Sequence, residues 1–217
     1  AFVPKVDFMV GSRKIFSYEE INRLFLYDYN YLPLMTRLRE VGKNLLNRLK
    51  ALKHILRDHF QLVEDKKLDA EAKKLANQYL KQFPKTHAFD YYKHFVNVFL
   101  EDSEGELLQQ VRQHTAGILK AGYVELEDLA PIIYLKYLIY GMDEKIPVRH
   151  IVIDEAQDFS VFQIYVLRKI IKDSSFTILG DLCQGIHSYR GMKDWGELKD
   201  FAFEGNRCQI LTLEQSY

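Results

Sequence analysis

The chain has 217 residues, of which 47% are hydrophobic, so it can bury one substantial core and a smaller second one, and a disordered protein is excluded. Lysine and arginine number 30, and aspartate and glutamate also number 30. This balance excludes an overall positive field toward nucleic acid, so any such contact must be local.

The remaining sequence features exclude a zinc site, a membrane span and a signal peptide. The two cysteines, Cys183 and Cys208, form no cluster with zinc-ligand spacing, which is typical of a protein in a reducing cytosol. Any metal must therefore bind oxygen ligands. A run of about 18 apolar residues and a signal peptide are both lacking. We predict a cytoplasmic protein without a membrane partner. Because the chain starts at Ala1 and stops at Tyr217 directly after an apolar run, we expect a fragment of a longer protein.

The chain begins with two short apolar runs, residues 6–10 and 13–16, which predict a hairpin or a strand and turn. Ser17 and Glu20 then have the spacing of a capping box, so a helix should begin at Tyr18.

The region up to about residue 145 is predicted to be mainly helical. Apolar residues recur there at steps of three and four, which is typical of amphipathic helices. The predicted helices span residues 34–63, 68–83, 88–100, 106–120 and 126–140.

After Pro147 the pattern changes to short apolar runs that alternate with a helix over residues 161–171. Such alternation predicts a parallel α/β sheet, whose ligands bind beyond the carboxyl ends of its strands. We predict three strands of one sheet, with Asp154 and Asp181 at the same edge. The three runs are residues 150–153, 176–179 and 210–213.

Adjacent carboxylates follow the first of these runs, in the segment Ile151-Val152-Ile153-Asp154-Glu155-Ala156-Gln157-Asp158. Nucleotide hydrolysis needs such a pair, since one acid holds Mg²⁺ while the other orients or deprotonates the attacking water. The alternative is that the two acids simply end a strand in solvent. The segment alone does not decide between them.

A second polar segment, Gly180-Asp181-Leu182-Cys183-Gln184, follows the next run and is itself followed by Tyr189-Arg190-Gly191. Together the two segments resemble motifs II and III of UvrD-like superfamily 1 helicases. In that family an Asp-Glu-x-x-Asp element precedes a Gly-Asp-x-x-Gln element that ends in aromatic-Arg-Gly. The resemblance implies that residues 146–217 are the C-terminal half of a first RecA-like motor domain, a partial P-loop NTPase sheet. It also implies that residues 1–145 are a mainly helical insertion.

The resemblance assigns roles to the residues of both segments. Asp154 would hold Mg²⁺, Glu155 would be the catalytic base, and Gln184 would sense the γ-phosphate of ATP and relay its presence toward the nucleic-acid groove. The cofactor-binding residues that complete the motifs would be Gln157, Asp158, Gly180 and Asp181.

Tyr189 and Arg190 would contact nucleic acid in such a motor. The alternatives are a core tyrosine and a structural ion pair. Family members usually have Ser at the position of Gly185 and Tyr at that of His187. The resemblance therefore does not extend to a phosphate relay or base stacking through those two side chains.

The phosphate-binding pattern Gly-x-x-x-x-Gly-Lys-Ser/Thr is not found in the chain. Gly117 and Gly122 have its glycine spacing but are followed by Tyr123-Val124. We expect the pattern upstream of Ala1, and we expect this chain alone not to hydrolyse ATP. Residues 211–217 resemble the start of motif IV, just before its arginine.

Within the family, the helix at 126–130 and the segment 134–136, taken with both motifs, are closest to the HelD-like branch, which includes motors that act on RNA polymerase. Three functions stay open. The first is a fragment of an ATP-dependent DNA helicase or translocase acting on single-stranded DNA. The second is a polymerase-recycling ATPase whose insertion binds RNA polymerase. The third is a helical interaction module on a non-hydrolysing α/β domain.

Overall fold

A computed structural model describes residues 2–62, 64–85, 87–99, 105–142, 146–185, 191–204 and 208–213. The chain divides into two compact units, Ala1–His87 with Leu138–Gly141 and Ala88–Tyr137 with Met142–Tyr217. The boundary at residue 145 between a helical insertion and a motor domain stays a prediction. Among the described residues, no helix has both the length and the apolar character needed to cross a membrane.

The first unit begins with an antiparallel hairpin of β1 (Phe8–Val10) and β2 (Arg13–Phe16). Helix α1 (Tyr18–Arg23) follows at once. The Ser17 hydroxyl accepts a hydrogen bond from the Glu20 amide at 3.2 Å, and the Glu20 carboxylate accepts one from the Ser17 amide at 2.8 Å. The predicted hairpin and capping box are both confirmed.

The long helix predicted over residues 34–63 is wrong, because the structure has two helices there. Helix α2 (Leu34–Ala51) ends at Leu52, whose backbone leaves the helical region with φ −105° and ψ 36°, and α3 (Lys53–Phe60) begins directly after it. Both helices bury their apolar stripes in the same core. The apolar period therefore continues across the break and does not reveal it.

Helix α4 (Asp65–Leu80) completes this unit by packing closely against α2. A Cβ atom on Gly42 would lie only 2.7 Å from the Leu80 side chain, so a glycine allows the two helices to approach. The shared core consists of apolar side chains that are almost fully buried, including Ile21, Phe25, Val41, Leu45, Leu49, Leu68 and Ala72.

Gln61 ends α3 in the left-handed region, with φ 52° and ψ 35°. This conformation costs an L-residue about 1–2 kcal/mol, whereas glycine adopts it freely. We therefore expect Gln61→Gly to raise the free energy of unfolding by about 0.5–1 kcal/mol, the strain relief being partly offset by glycine's greater unfolded-state entropy. Thermal and urea denaturation of the chain would measure the change. Asn47→Gly, at an exposed position inside α2, is the matched control and should destabilise the chain. Equal destabilisation by both substitutions would contradict the prediction.

The second unit begins with α5 (Ala88–His94, continued by a π-helical turn over Phe95–Phe99), α6 (Glu106–Lys120) and α7 (Leu126–Tyr140), of which the last three residues belong to the first unit. The positions of these helices agree with the predicted ones. The Tyr92 hydroxyl donates a short hydrogen bond to the buried Asp128 carboxylate at the start of α7. Burial and this carboxylate raise the pKa of Tyr92 well above its ordinary value. The contact therefore links α5 to α7 through a hydrogen bond from a neutral phenol to a carboxylate.

A small parallel sheet follows, formed by β3 (His150–Ile153) and β4 (Ser175–Ile178) with α8 (Val161–Ile170) between them in the chain. One face of the sheet packs on α8 and on α9 (Trp195–Ala202), a helix that the sequence analysis did not predict. The whole is a helix-rich mixed structure with a two-stranded parallel sheet, compatible with an α/β fold.

The predicted third strand, residues 210–213, is not present. The structure has irregular backbone there, and Leu211 and Leu213 are 78% and 94% exposed. A strand forms only where a neighbour offers its backbone groups in register, and a four-residue apolar run carries no information about that neighbour. Apolar composition alone therefore overpredicted this strand.

Candidate functional site

The loops that follow β3 and β4 leave the sheet at the same edge. Ile153 pairs with Ile178 at the ends of the strands. Backbone bonding continues beyond them, because the Leu179 amide donates to the Ile153 carbonyl at 2.8 Å and the Ala156 amide donates to the Leu179 carbonyl at 2.9 Å. The predicted common edge for the two acidic loops is thus confirmed for these two strands.

Asp154 and Glu155 are exposed at the end of β3. Glu155 has a left-handed backbone, with φ 50° and ψ 41°, and a 3₁₀ turn over Ala156–Asp158 follows it. The Glu155 amide donates to the Asp154 carboxylate at 2.9 Å, and the Asp158 amide donates to the Glu155 carbonyl at 3.0 Å. These bonds and the bond from Ala156 hold a conformation that costs an L-residue about 1–2 kcal/mol, and such strain is concentrated at functional sites.

Gln157 connects the two loops. Its side chain is only 4% exposed. Its Nε2 donates to Oε2 of Glu155 at 2.6 Å, and its Oε1 accepts from the Asp181 amide at 3.1 Å. Both ends of one buried amide are therefore bonded within the protein, one end to each motif.

Gly180 is a glycine because the loops approach each other so closely. A Cβ atom there would lie 2.5 Å from Oε1 of Gln157 and 3.0 Å from the Ala156 nitrogen. At Gly185, in contrast, the nearest atom to an added Cβ would be the Leu182 carbonyl oxygen at 3.7 Å, an ordinary contact. Space therefore requires glycine at position 180 and not at position 185.

Asp181 organises the second loop. Its carboxylate caps the short 3₁₀ turn Leu182–Gln184 by accepting from the Cys183 amide at 2.9 Å, and it also accepts from Nε2 of Gln184 at 2.8 Å. These donors, the Cys183 amide first, hold the pKa of Asp181 below its ordinary value. The exposed carboxylate also holds the Gln184 side chain against its own loop.

The oxygen atoms at this edge fit Mg²⁺ in their chemistry. In the described part of the chain, no three His, Cys, Asp or Glu side chains lie close enough to form a metal site of protein ligands alone. Magnesium at nucleotide sites usually takes one or two carboxylates, with phosphate oxygens and water as its other ligands. Asp154 and Glu155 provide exposed carboxylates of this kind.

Two groups of predicted residues cannot be placed at this edge. Tyr189 and Arg190, predicted to contact nucleic acid, lie outside the described residues, as does His187. Residues 214–217 of the predicted motif IV also lie outside them. The site described is therefore the group formed by Asp154, Glu155, Gln157, Asp158, Gly180, Asp181 and Gln184, and their functional roles stay predictions.

Ala156 was given no role from the sequence, although it lies at the centre of this arrangement. It is fully buried, and its amide joins the loop after β3 to the end of β4. Its small size between the acidic pair and Gln157 was the available signal. Asp194 was also missed as the cap of α9, although Glu197 three residues later marks a helix start.

Comparison with known families adds an independent finding. The family model for the UvrD/REP helicase N-terminal domain matches residues 14–194. The match includes both loops of the site and also most of the helical region that precedes them. A search of curated proteins finds no match to the chain.

Proposed function

Because this chain belongs to the UvrD/REP helicase N-terminal domain family, we propose that it is part of the first RecA-like motor domain of a DNA helicase or translocase. Membership of the family implies ATP hydrolysis, with Mg²⁺, and action on nucleic acid. In the proposed function, hydrolysis drives movement along single-stranded DNA. The free, exposed cysteines Cys183 and Cys208 are compatible with work in a reducing cytoplasm.

The observation that carries this proposal is the joined pair of loops at the edge of β3 and β4. A chain of hydrogen bonds runs from Glu155 through Gln157 to Asp181 and on to Gln184. A motor needs a base that acts on water and a sensor of the γ-phosphate in fixed relation to each other. This edge provides two candidates for those roles, on adjacent parallel strands.

Each residue of the site has a proposed task. Bound Mg²⁺ would neutralise the charge that develops on the phosphoryl group transferred from ATP. The Asp154 carboxylate binds the metal, and the Glu155 carboxylate orients the attacking water and accepts its proton. The Gln184 amide binds the γ-phosphate. The residues proposed to complete the nucleotide site are Gln157, Asp158, Gly180 and Asp181, and those proposed to contact DNA are Tyr189 and Arg190.

The alternatives receive less support. The family match argues against a non-hydrolysing helical module. In the described residues, no feature singles out RNA polymerase as the partner or the HelD-like branch as the origin. A nucleic-acid motor is therefore the function that the family and the site favour together.

The role of Gln184 tests this function. In the protein that contains this chain, we expect Gln184→Ala to lower DNA-stimulated ATP turnover more than basal turnover, because the side chain reports the γ-phosphate and does not perform the chemistry. Steady-state ATP turnover with and without single-stranded DNA measures both rates. Cys183→Ser is the neighbouring control, since the backbone amide that bonds Asp181 remains. Equal loss of both rates, or no loss, would speak against coupling through Gln184.

A further inference from the structure

We propose that Gln157 is a positioning residue that holds the Glu155 carboxylate for catalysis and links it mechanically to Gln184 through Asp181. This inference rests on the proposed function, because it assumes that Glu155 is the base. It gives Gln157 a task inside the protein, whereas the motif resemblance alone assigns it to the cofactor.

Burial and bonding of the Gln157 side chain are the first step. At 4% exposure the amide is almost removed from water, so each polar end needs a partner. Both have one, Glu155 at 2.6 Å and Asp181 at 3.1 Å.

The second step concerns why glutamine is needed. The link requires a donor at one end, facing a carboxylate, and an acceptor at the other, facing a backbone amide. Glutamate keeps the acceptor but places a second carboxylate against Glu155. Methionine has a similar length and removes both bonds. Only the amide of glutamine meets both requirements at this length.

The third step extends the link to the sensor. The Asp181 amide bonds to Gln157, while the Asp181 carboxylate bonds to Gln184 at 2.8 Å. A Gln184 side chain that turns to the γ-phosphate leaves this carboxylate. Because Gly180 leaves no free space against Gln157, a shift of the Asp181 loop is passed to Gln157 and so to Glu155.

The test compares Gln157→Glu with Gln157→Met in the protein that contains this chain. We expect both variants to lower kcat for ATP about 10- to 100-fold, because displacing a reacting group by about 1 Å has costs of this size. We expect KM and the Kd for Mg-ATP to stay near the wild-type values, since both polar ends of the buried Gln157 amide are bonded within the protein. Near-normal kcat for Gln157→Glu, with loss only for Gln157→Met, would reduce Gln157 to a support of the Asp181 loop and overturn the proposal.

A double-mutant cycle provides the second measurement. If Gln157 acts through Glu155, then Gln157→Met added to Glu155→Gln should lower kcat no further than Glu155→Gln alone. A merely structural effect would multiply the two losses, and that result overturns the proposal. Thermal melting is recorded for each variant. Loss of the native transition in both Gln157 variants would mark the residue as structural only and would also overturn it.

Failure of this inference can be distinguished from failure of the proposed function. Near-normal turnover by Glu155→Gln alone would show that Glu155 is not the base, and this result would reject both proposals. If Glu155→Gln loses turnover while Gln157→Glu does not, only the positioning role of Gln157 is rejected.

Discussion

Replacement of Glu155 by glutamine is expected to lower ATP turnover about 10²- to 10⁴-fold in the protein that contains this chain, the range typical for loss of a general base. The amide keeps the size of the side chain and most of its hydrogen-bonding capacity, so Mg-ATP should still bind. The effect is thus on the transition state. Steady-state turnover and nucleotide-binding titration on the same preparation measure the two properties separately.

Asp154→Asn is the matched control for this experiment. It makes the same chemical change one residue earlier, at a side chain that is also exposed at the strand end. Because the lost charge here belongs to the metal ligand, we expect weaker binding of Mg²⁺ itself, seen as a higher Mg²⁺ requirement for nucleotide binding. Near-normal turnover by the Glu155 variant would show that the acidic pair only ends a strand in solvent.

Gly180→Ala is expected to damage both the fold around the site and its activity. The added methyl group would lie 2.5 Å from Oε1 of Gln157, an atom fixed by its bond to the Asp181 amide, and 3.0 Å from the Ala156 backbone. Overpacking of this kind costs about 1–3 kcal/mol in stability. The loops must also separate, so we expect turnover to fall about 10- to 100-fold as the base moves away from its position.

Gly185→Ala is the control for this prediction, five residues along the same segment. An added Cβ there makes only ordinary contacts, and the backbone φ of −61° suits any residue. The free energy of unfolding of the Gly185→Ala variant should stay within about 0.5 kcal/mol of the wild-type value. Urea denaturation and ATP turnover measure the stability and the activity of the Gly180→Ala and Gly185→Ala variants. Similar behaviour of both would mean that the close approach at Gly180 has no energetic consequence.

The sequence by itself determined the features of this protein that depend on neighbouring residues. The capping box of Ser17 and Glu20 joins groups three residues apart, and the helix Glu106–Lys120 follows from apolar periodicity within one segment. The same holds for β3 with its acidic end and for most of β4. The positions of their acidic residues at the strand ends could be predicted because residue types and short spacings already carry the information.

Only the tertiary structure decided the features that depend on distant neighbours. The break at Leu52 and the irregular backbone of residues 210–213 reflect which core or strand is available to a segment, and local patterns do not record that. The same is true of the site. Gln157 meets Asp181 across 24 residues of sequence, and Gly180 is required by atoms of the loop after β3. Close packing between segments that are remote in the chain creates these contacts. They depend on the side-by-side arrangement of β3 and β4, which local sequence patterns do not contain.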